Sequence, residues 1–215
     1  MSTPSSASNY LANVIGGRFP ELRGRLRVVY NPVLDAPPTV SKEDSRAFLY
    51  VGGDSYIKGF HVLMDAVARA LGKGLEFRLF IAGSVRGKLG GNGFVSFLGR
   101  LSHSDVLRLH GGVRALVFPS IVHEPLPTAV VESMLVGTLP IASRVGGVPE
   151  ILRGTPAEGL MFSPGDVDGL VDRMEQVLSM SREEVVDAGL KLRRHALRLF
   201  DVDEVRARLM KVFIG

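Results

Sequence analysis

Short apolar runs alternate with helix-type patterns along most of this chain. Several of these runs are apolar at every position, which is typical of strands buried on both faces of a parallel sheet. The segments between them repeat apolar residues at intervals of three and four, as an amphipathic helix does. A repeated strand–helix–strand order requires right-handed crossovers and predicts a doubly wound parallel α/β sheet. Strands are predicted at residues 26–30, 47–51, 77–82, 95–98, 115–118, 139–142 and 159–162.

The chain is predicted to have three parts. Residues 1–25 form an N-terminal linker or helical segment, residues 26–180 a Rossmann-like ligand-binding domain, and residues 181–215 C-terminal helices that pack on it. Two loops interrupt the pattern, one with Pro37 and Pro38 and one that is glycine-rich from 83 to 93. Helices are predicted from Lys58 to residue 71, then over 102–110, 128–136, 167–178, 183–199 and 202–212, with a short one around Glu150.

Composition excludes several classes of protein. The 215 residues include no cysteine, which rules out a disulfide scaffold, a cysteine zinc site and thiol catalysis. The net charge of +4 suits a polyanionic ligand but is too small to indicate nucleic acid. No run reaches the roughly 18 apolar residues of a membrane span, and the N-terminal sequence lacks a signal-peptide layout. We therefore expect a cytoplasmic protein. The basic clusters at 18–27 and 191–198 are expected to be solvated helix faces, with peripheral contact to an anionic membrane or to a missing domain as the alternatives.

The amide side chains are scarce. Gln176 is the single glutamine, there are four asparagines, and arginine far outnumbers lysine. This bias favours a thermophilic source, although the codon usage of an arginine-rich mesophile accounts for it equally well.

Ligands of a doubly wound sheet bind beyond the carboxyl ends of its strands, which directs attention to the loops there. Gly52 and Gly53 follow one strand and precede Lys58 at the start of a helix, an arrangement that favours phosphate. Gly83 follows the next strand, where a missing Cβ lets a ligand approach closely. Neither loop matches a Walker or G-x-G-x-x-G pattern. A solvated lysine at a helix cap and a flexible loop tip are the alternative interpretations.

Two carboxylates flank another predicted helix start. Glu124 lies in the loop after strand 115–118, and Glu132 lies one turn inside the helix that begins near Thr128. Carboxylates accept hydrogen bonds from sugar hydroxyls, and the N–H groups between them suit phosphate. A sugar, phosphate and ribose in a row describe a nucleotide sugar. The alternative for Glu132 is simple compensation of the helix dipole.

An ordered set of short motifs accompanies these glutamates. They are Val29-Tyr30-Asn31-Pro32, Lys58-Gly59, Phe97-Leu98-Gly99, Phe118-Pro119-Ser120, Glu124-x7-Glu132, Gly137-x-x-Pro140 and Gly146-Gly147-Val148-Pro149-Glu150. In this order, over roughly residues 26–180, the set resembles the family 4 retaining glycosyltransferases of the GT-B fold, also described as glycosyl transferases group 1. The resemblance lies in their C-terminal, donor-binding domain.

The resemblance implies a role for each candidate residue. Lys58 would contact the donor diphosphate and stabilise the departing phosphate, Glu124 would hold donor-sugar hydroxyls, and Glu132 the ribose diol. The remaining donor-binding positions implied are Gly52, Gly53, Gly83, Pro125, Leu126, Pro127 and Thr128, with Val95 and Arg100 at the base. The implied activity is metal-independent, retaining hexosyl transfer from a UDP-, GDP- or ADP-sugar, with no cofactor.

Two departures from the family pattern are visible. Gly53 stands where the family usually has arginine, and Arg86 or Arg144 are candidates to replace that charge. Few residues precede the predicted sheet, so an N-terminal acceptor domain is expected to be removed or separately encoded, and the chain alone is expected to be inactive. The alternatives are a non-catalytic nucleotide-sugar-binding module and a GT-B-like epimerase or phosphorylase. Two Asp-x-Asp sequences, at Asp166 and Asp201, are predicted to be helix caps and not metal sites.

Overall fold

Six parallel strands form the central sheet. The computed structural model describes residues 4–31, 46–86 and 93–214; the Pro37–Pro38 loop and residues 87–92 of the glycine-rich loop lie outside them. The sheet strands are β3 Ala47–Val51, β4 Arg78–Ala82, β5 Val95–Gly99, β6 Ala115–Phe118, β7 Leu139–Ser143 and β8 Met161–Phe162, and two short strands, β1 Ser5–Ser6 and β2 Arg27–Val28, pair separately. The order β5-β4-β3-β6-β7-β8 confirms the doubly wound α/β fold.

Eight helices are described. They are α1 Asn9–Arg18, α2 Phe60–Gly72, α3 His103–Gly112, α4 Thr128–Val136, α5 Val148–Leu152, α6 Val167–Ser179, α7 Arg182–Leu199 and α8 Val202–Ile214, with short 3-10 helices at Pro20–Leu22 and Glu158–Leu160. Helix α2 packs with α6, whereas α3 and α7 pack with α4. The chain runs from β3 through α2 to β4 on one side of the sheet order, and from β6 through α4 to β7 on the other side. Because both crossovers are right-handed, α2 and α6 lie on one face of the sheet, and α3, α4 and α7 lie on the opposite face.

Burial explains the apolar runs in the sequence. Phe48, Leu49, Leu116 and Ile141 are at most 1% exposed, because their strands carry helices on both faces. The strand order reverses between β3 and β6, which are direct neighbours through Phe48–Ala115 and Leu49–Leu116. The loops that leave these two strands therefore diverge from one point, where doubly wound proteins bind ligands.

The N-terminal segment differs from the predicted pattern. The predicted strand 26–30 is reduced to β2, which pairs with β1, a strand that no pattern indicates because it has two residues. Tyr30 and Val29 pack instead against the C-terminal helices: the Tyr30 ring lies 5.4 Å from that of Phe200, and Val29 clusters with Val205 and Val212. The predicted strand 159–162 is likewise shortened to β8, because residues 158–160 form a 3-10 turn.

The two Asp-x-Asp sequences cap helices, as expected. The Asp166 carboxylate accepts the Gly169 N–H at 2.9 Å, and that of Asp201 accepts the Glu204 N–H at 2.8 Å. Asp168 is paired with Arg69. Within the described ranges, no group of three or more metal-ligating side chains is found. No helix among these residues is long and apolar enough to cross a bilayer.

Candidate functional site

The loops after β3 and β6 touch each other at the switch point of the sheet. The Ile121 N–H donates to the Ile57 carbonyl at 3.1 Å, and the Ser120 hydroxyl donates to the same carbonyl at 3.3 Å. At Gly59, where φ is +75°, a Cβ would lie only 1.8 Å from the Pro119 carbonyl oxygen. The close approach therefore depends on glycine at this position, and it brings the two loops into one surface.

Lys58 and Glu124 meet on this surface. Lys58 Nζ lies 2.7 Å from Glu124 Oε1, and their side chains are 35% and 24% exposed. The hydroxyl of Ser120, a fully buried residue, lies 3.4 Å from the same carboxylate oxygen. The pair presents one cation and one anion side by side at a half-buried position, so a ligand with both phosphate and hydroxyl groups finds a partner for each.

A third loop holds the backbone of Glu124. The Gly147 N–H donates to the Glu124 carbonyl at 2.9 Å, and the Gly146 N–H donates to His123 Nδ1 at 3.0 Å. A Cβ on Gly146 would lie 2.0 Å from the Glu124 carbonyl oxygen, and one on Gly147 would lie 2.1 Å from that of Pro125. The paired glycines after β7 therefore allow the loop of Glu124 to be pinned by the neighbouring strand end.

Helix α1 lies against the same loops. The Glu150 carboxylate accepts the N–H groups of Asn9 and Tyr10 at 3.1 and 2.9 Å. The Tyr10 ring stacks on that of His123, with centroids 5.5 Å apart. Burial and the Glu150 carboxylate raise the pKa of Tyr30 to about 12. Glu150, which the sequence motif includes without a role, thus anchors the N-terminal segment beside the residue that precedes Glu124.

Glu132 has a different partner. Its Oε1 lies 3.0 Å from Nε2 of His103, the first residue of α3, and its side chain is 21% exposed. Residues 103 and 132 are brought together because α3 and α4 pack side by side. No motif or spacing in the sequence indicates His103 as a site residue. The structure therefore gives the two glutamates separate partners, Lys58 for one and His103 for the other.

The N-terminus of α4, which lies between the two glutamates in sequence, has no side-chain cap. Pro127, the residue before Thr128, supplies no side-chain hydrogen bond to α4, and its carbonyl accepts the N–H groups of Val130 and Val131 at 3.1 and 3.2 Å. Within the described ranges, the N–H groups of Thr128 and Ala129 stay open. Thr128 and Pro125 are exposed, Leu126 is half-buried, and Pro127 is buried. Such an uncapped helix start favours an anion, because its N–H groups and the helix dipole both point outward.

The three glycines of the first two loops lie together. The N–H groups of Gly52 and Gly53 both donate to the Ala82 carbonyl, at 3.0 and 3.1 Å. A Cβ on Gly83, where φ is +122°, would lie 2.4 Å from the Gly53 nitrogen. The Tyr50 ring supports this loop, with its hydroxyl 3.5 Å from the Lys58 carbonyl, and burial together with Asp54 raises the pKa of Tyr50.

The two positions expected at the base are placed apart. Arg100 is exposed and its Nε donates to the Ser84 hydroxyl at 2.9 Å, next to the glycine loops. Val95 is 4% exposed and begins β5, four residues before the carboxyl end of that strand. At about 3.3 Å per residue, it lies on the order of 13 Å from the edge where the loops meet. The structure does not bring Val95 to that edge.

Gly53 cannot simply be replaced by the arginine of the family pattern. Its φ is +59°, and a Cβ there would lie 2.2 Å from the Ser84 carbonyl oxygen.

We expect Gly53→Arg to lower the free energy of unfolding by about 2 kcal/mol, from left-handed strain and this contact with Ser84, because Ser84 is exposed and can shift partly. Urea unfolding measures this change. The control is Gly24→Arg, at φ +75°, where no atom of the described part of the chain lies within 4 Å of the added Cβ. An equal loss of stability in both variants would contradict a cost from the contact with Ser84. The candidates for the missing positive charge are still Arg86 and Arg144, which are both exposed. The backbone N–H of Arg86 donates to Asp54 Oδ2 at 2.8 Å.

Comparison with known proteins identifies the family. Among curated relatives, an uncharacterized glycosyltransferase of Methanocaldococcus jannaschii is 30% identical over a match that covers 64% of this chain and 37% of the relative. An MMP alpha-(1->4)-mannosyltransferase of Mycolicibacterium hassiacum is 27% identical over a match that covers 82% of this chain and 44% of the relative. The chain thus spans less than half of the length of each. Two solved structures share the fold. Staphylococcus aureus TarM has a TM-score of 0.82 and 13% sequence identity, and the match covers 98% of this chain and 43% of TarM. Anabaena HepE in complex with UDP-glucose has a TM-score of 0.76 and 19% sequence identity, and the match covers 99% of this chain and 63% of HepE. The model for glycosyl transferases group 1 matches residues 35–192, and the chain belongs to this family.

Proposed function

We propose that this chain binds the nucleotide-diphospho-sugar donor of a retaining glycosyltransferase of family 4. The observation that carries the proposal is the Lys58–Glu124 pair beside the uncapped start of α4, at the switch point of the sheet. Family membership supports sugar transfer as the reaction, and a related fold is known in complex with UDP-glucose. The match to family 4 rests on the Glu-x7-Glu motif and its ordered neighbours.

Binding would exchange the partners of the two paired side chains. The Lys58 ammonium donates to the donor diphosphate instead of to Glu124. The Glu124 carboxylate then accepts hydrogen bonds from the sugar hydroxyls. The N–H groups at the start of α4 bind the phosphate between them. Glu132 holds the ribose diol, in exchange for its contact with His103.

The same groups would lower the barrier to transfer. As the bond between the sugar and the diphosphate breaks, negative charge develops on the leaving phosphate. Lys58 and the first turn of α4 are already in place to stabilise that charge, so no metal ion is needed in this proposal. The leaving phosphate takes the proton of the acceptor hydroxyl, which attacks from the same face of the hexosyl group, and the configuration is retained.

The acceptor would be bound by another part of the enzyme. The chain covers 37% and 44% of the two curated relatives named above, which leaves room for a second domain in proteins of that length. We infer that the chain alone binds donor without transferring its sugar. A non-catalytic nucleotide-sugar-binding module is the second candidate, because Gly53 removes one positive charge of the family pattern.

Titration calorimetry with UDP-, GDP- and ADP-sugars, in buffer with EDTA, tests donor binding and its independence of metal. We expect Glu132→Ala to weaken bare nucleotide and nucleotide sugar alike, by roughly tenfold, because each loses a charge-assisted hydrogen bond to ribose. Glu124→Ala should weaken the nucleotide sugar by a similar factor and leave bare nucleotide within about twofold, because its partner is the sugar.

The control is Glu175→Ala, which removes an exposed carboxylate from α6. It should leave both affinities unchanged. Equal losses of bare nucleotide from Glu124→Ala and Glu132→Ala would contradict the division of roles, and absence of binding by every nucleotide sugar would contradict the donor site itself. Glycosyl transfer after the acceptor-binding part is supplied would exclude the non-catalytic module.

A further inference from the structure

A second concave site lies away from the Lys58–Glu124 pair, between α7 and the loop after α5. A cavity of about 400 Å³ is bounded on one side by Gly154, Thr155 and Pro156 and on the other by α7. The α7 residues that line it are Lys191, Arg194, His195 and Arg198. We call this cavity the basic pocket. None of its residues takes part in the candidate donor site.

The helical repeat explains why these four side chains share one face. Positions 191, 194, 195 and 198 follow the i, i+3, i+4, i+7 spacing, which places them along a single stripe of α7. The adjacent stripe, which includes Leu192 and Ala196, is fully buried in the core. The stripe is therefore held by a rigid, packed helix and faces a turn that closes the other side of the pocket.

The positive charges of the pocket are only partly compensated. Lys191 Nζ pairs with Asp187 Oδ2 at 2.6 Å. Across the described ranges, neither Arg194 nor Arg198 has a carboxylate within ion-pair distance. The nearest acid of the loop, Glu158, accepts the Gly154 N–H at 2.8 Å. Two guanidinium groups, one turn apart, thus line the same cavity without an anionic partner.

His195 lies in the same excess of positive charge. Its Nε2 is buried and has no hydrogen-bond partner in the described part of the chain. Burial, and then the positive charge of Arg198, lower the pKa of His195, while a hydrogen bond with the Ile151 backbone acts in the opposite direction. An anion in the pocket would reduce the repulsion between these cationic groups.

We propose that the basic pocket binds a phosphate-bearing group, with Arg194 and Arg198 as its principal ligands. Guanidinium forks match phosphate oxygens in a bidentate geometry, and the walls leave room for a phosphate with a small substituent. The shared chemistry is a phosphate mono- or diester, whether free in solution or carried by a lipid headgroup. This inference does not rest on the donor site.

The first experiment measures His195 by NMR while inorganic phosphate is added to the intact chain. Phosphate that enters the pocket should raise the pKa of His195, because it favours the imidazolium form. The pKa of His61, which lines neither the basic pocket nor the surface around Glu124 and Glu132, serves as an internal reference. Arg194→Gln/Arg198→Gln should weaken this response by about tenfold or more in phosphate concentration.

The second experiment measures co-sedimentation with vesicles of phosphatidylcholine containing phosphatidylglycerol. The matched control is Arg108→Gln/Arg206→Gln, which removes the same charge from exposed positions outside the pocket and outside the basic cluster at 18–27. Vesicle binding that is lost in the Arg194/Arg198 variant and kept in the control assigns the headgroup as the source. A phosphate response with no vesicle binding assigns a soluble phosphate.

Equal effects of the pocket variant and the control would reduce the pocket to a non-specific positive surface and overturn the proposal. So would the absence of both responses. Since all four substituted arginines are exposed, unchanged urea midpoints verify that each variant is folded. Loss of nucleotide-sugar binding in the Lys58 or Glu132 variants would leave these outcomes unaffected.

Discussion

Lys58→Ala is expected to weaken the binding of UDP-glucose by about 100-fold, because a charge-assisted hydrogen bond to phosphate contributes about 1.5 to 3 kcal/mol. The substitution has a second consequence at this site. Glu124 loses its partner 2.7 Å away and, among the described residues, keeps the 3.4 Å contact with Ser120, so it would face the proposed diphosphate as an uncompensated anion. Titration calorimetry with UDP-glucose and with UDP measures both effects.

The repulsion by Glu124 can be separated from the lost attraction by Lys58. We expect Glu124→Gln to recover part of the affinity for bare UDP when it is added to Lys58→Ala, because it removes the negative charge next to the diphosphate. In the presence of Lys58 the same substitution should leave UDP binding nearly unchanged. If Glu124→Gln failed to recover UDP affinity in Lys58→Ala, or weakened UDP binding in the presence of Lys58, the diphosphate would lie elsewhere.

Lys73→Ala provides the matched control for the lysine. This residue ends the helix that Lys58 precedes, its side chain is 47% exposed, and it makes a 3.8 Å ion pair with Asp172. The substitution removes the same charge and the same kind of contact from the other end of α2. A loss of UDP-glucose affinity similar to that of Lys58→Ala would indicate a general effect of net charge and would contradict a specific diphosphate contact.

The sheet could be predicted from the sequence because its strands are buried on both faces. Ala47–Val51 and Ala115–Phe118 are apolar throughout, and their predicted limits agree with the structure. The two-residue strands β1 and β2 could not be predicted, because no periodicity exists over two residues. Their pairing depends on burial of Val29 and Tyr30 against helices at the far end of the chain, a contact that local patterns do not contain.

The site could be predicted only in part. The rule for doubly wound sheets indicated the loops after β3 and β6, and the structure brings Lys58 and Glu124 of those loops together. The pairing of Glu132 with His103 depends on how α3 packs beside α4, and the spacing of residues along the chain carries no such information. The assignments of donor-binding roles stay predictions.

Val95 and Arg100, the two positions predicted at the base, differ in how the structure places them. Residues 97–99 end β5 near the edge where the loops meet, whereas Val95, at the start of the same strand, is buried in the core. Arg100, just beyond the strand, reaches the glycine loops through Ser84. Distance from the carboxyl end of a strand, more than proximity to a motif, therefore decides which residues can contact a ligand.

Gly59→Ala is expected to lower the free energy of unfolding by about 4 kcal/mol, measured by urea denaturation. Two costs add at this position. The backbone has a φ of +75°, which an alanine adopts only with strain, and the new Cβ would lie 1.8 Å from the Pro119 carbonyl oxygen. That oxygen belongs to the backbone of the adjoining loop, which hydrogen bonds hold at Ile57, so relief requires the two loops to separate.

Gly74→Ala isolates the cost of backbone strain, so that the cost of the contact can be found by difference. Gly74 has nearly the same φ, +79°, but no atom of the described residues lies within 4 Å of where its Cβ would be. This variant should therefore lose only about 1 kcal/mol from backbone strain. The difference between the two variants then measures the contact between the loops after β3 and β6. Because that contact also sets the distance between Lys58 and Glu124, Gly59→Ala should weaken UDP-glucose binding even where the protein remains folded, whereas Gly74→Ala should not. Equal losses of stability in both variants would mean that the loops do not approach each other as described, and the paired site at the switch point would lose its structural basis.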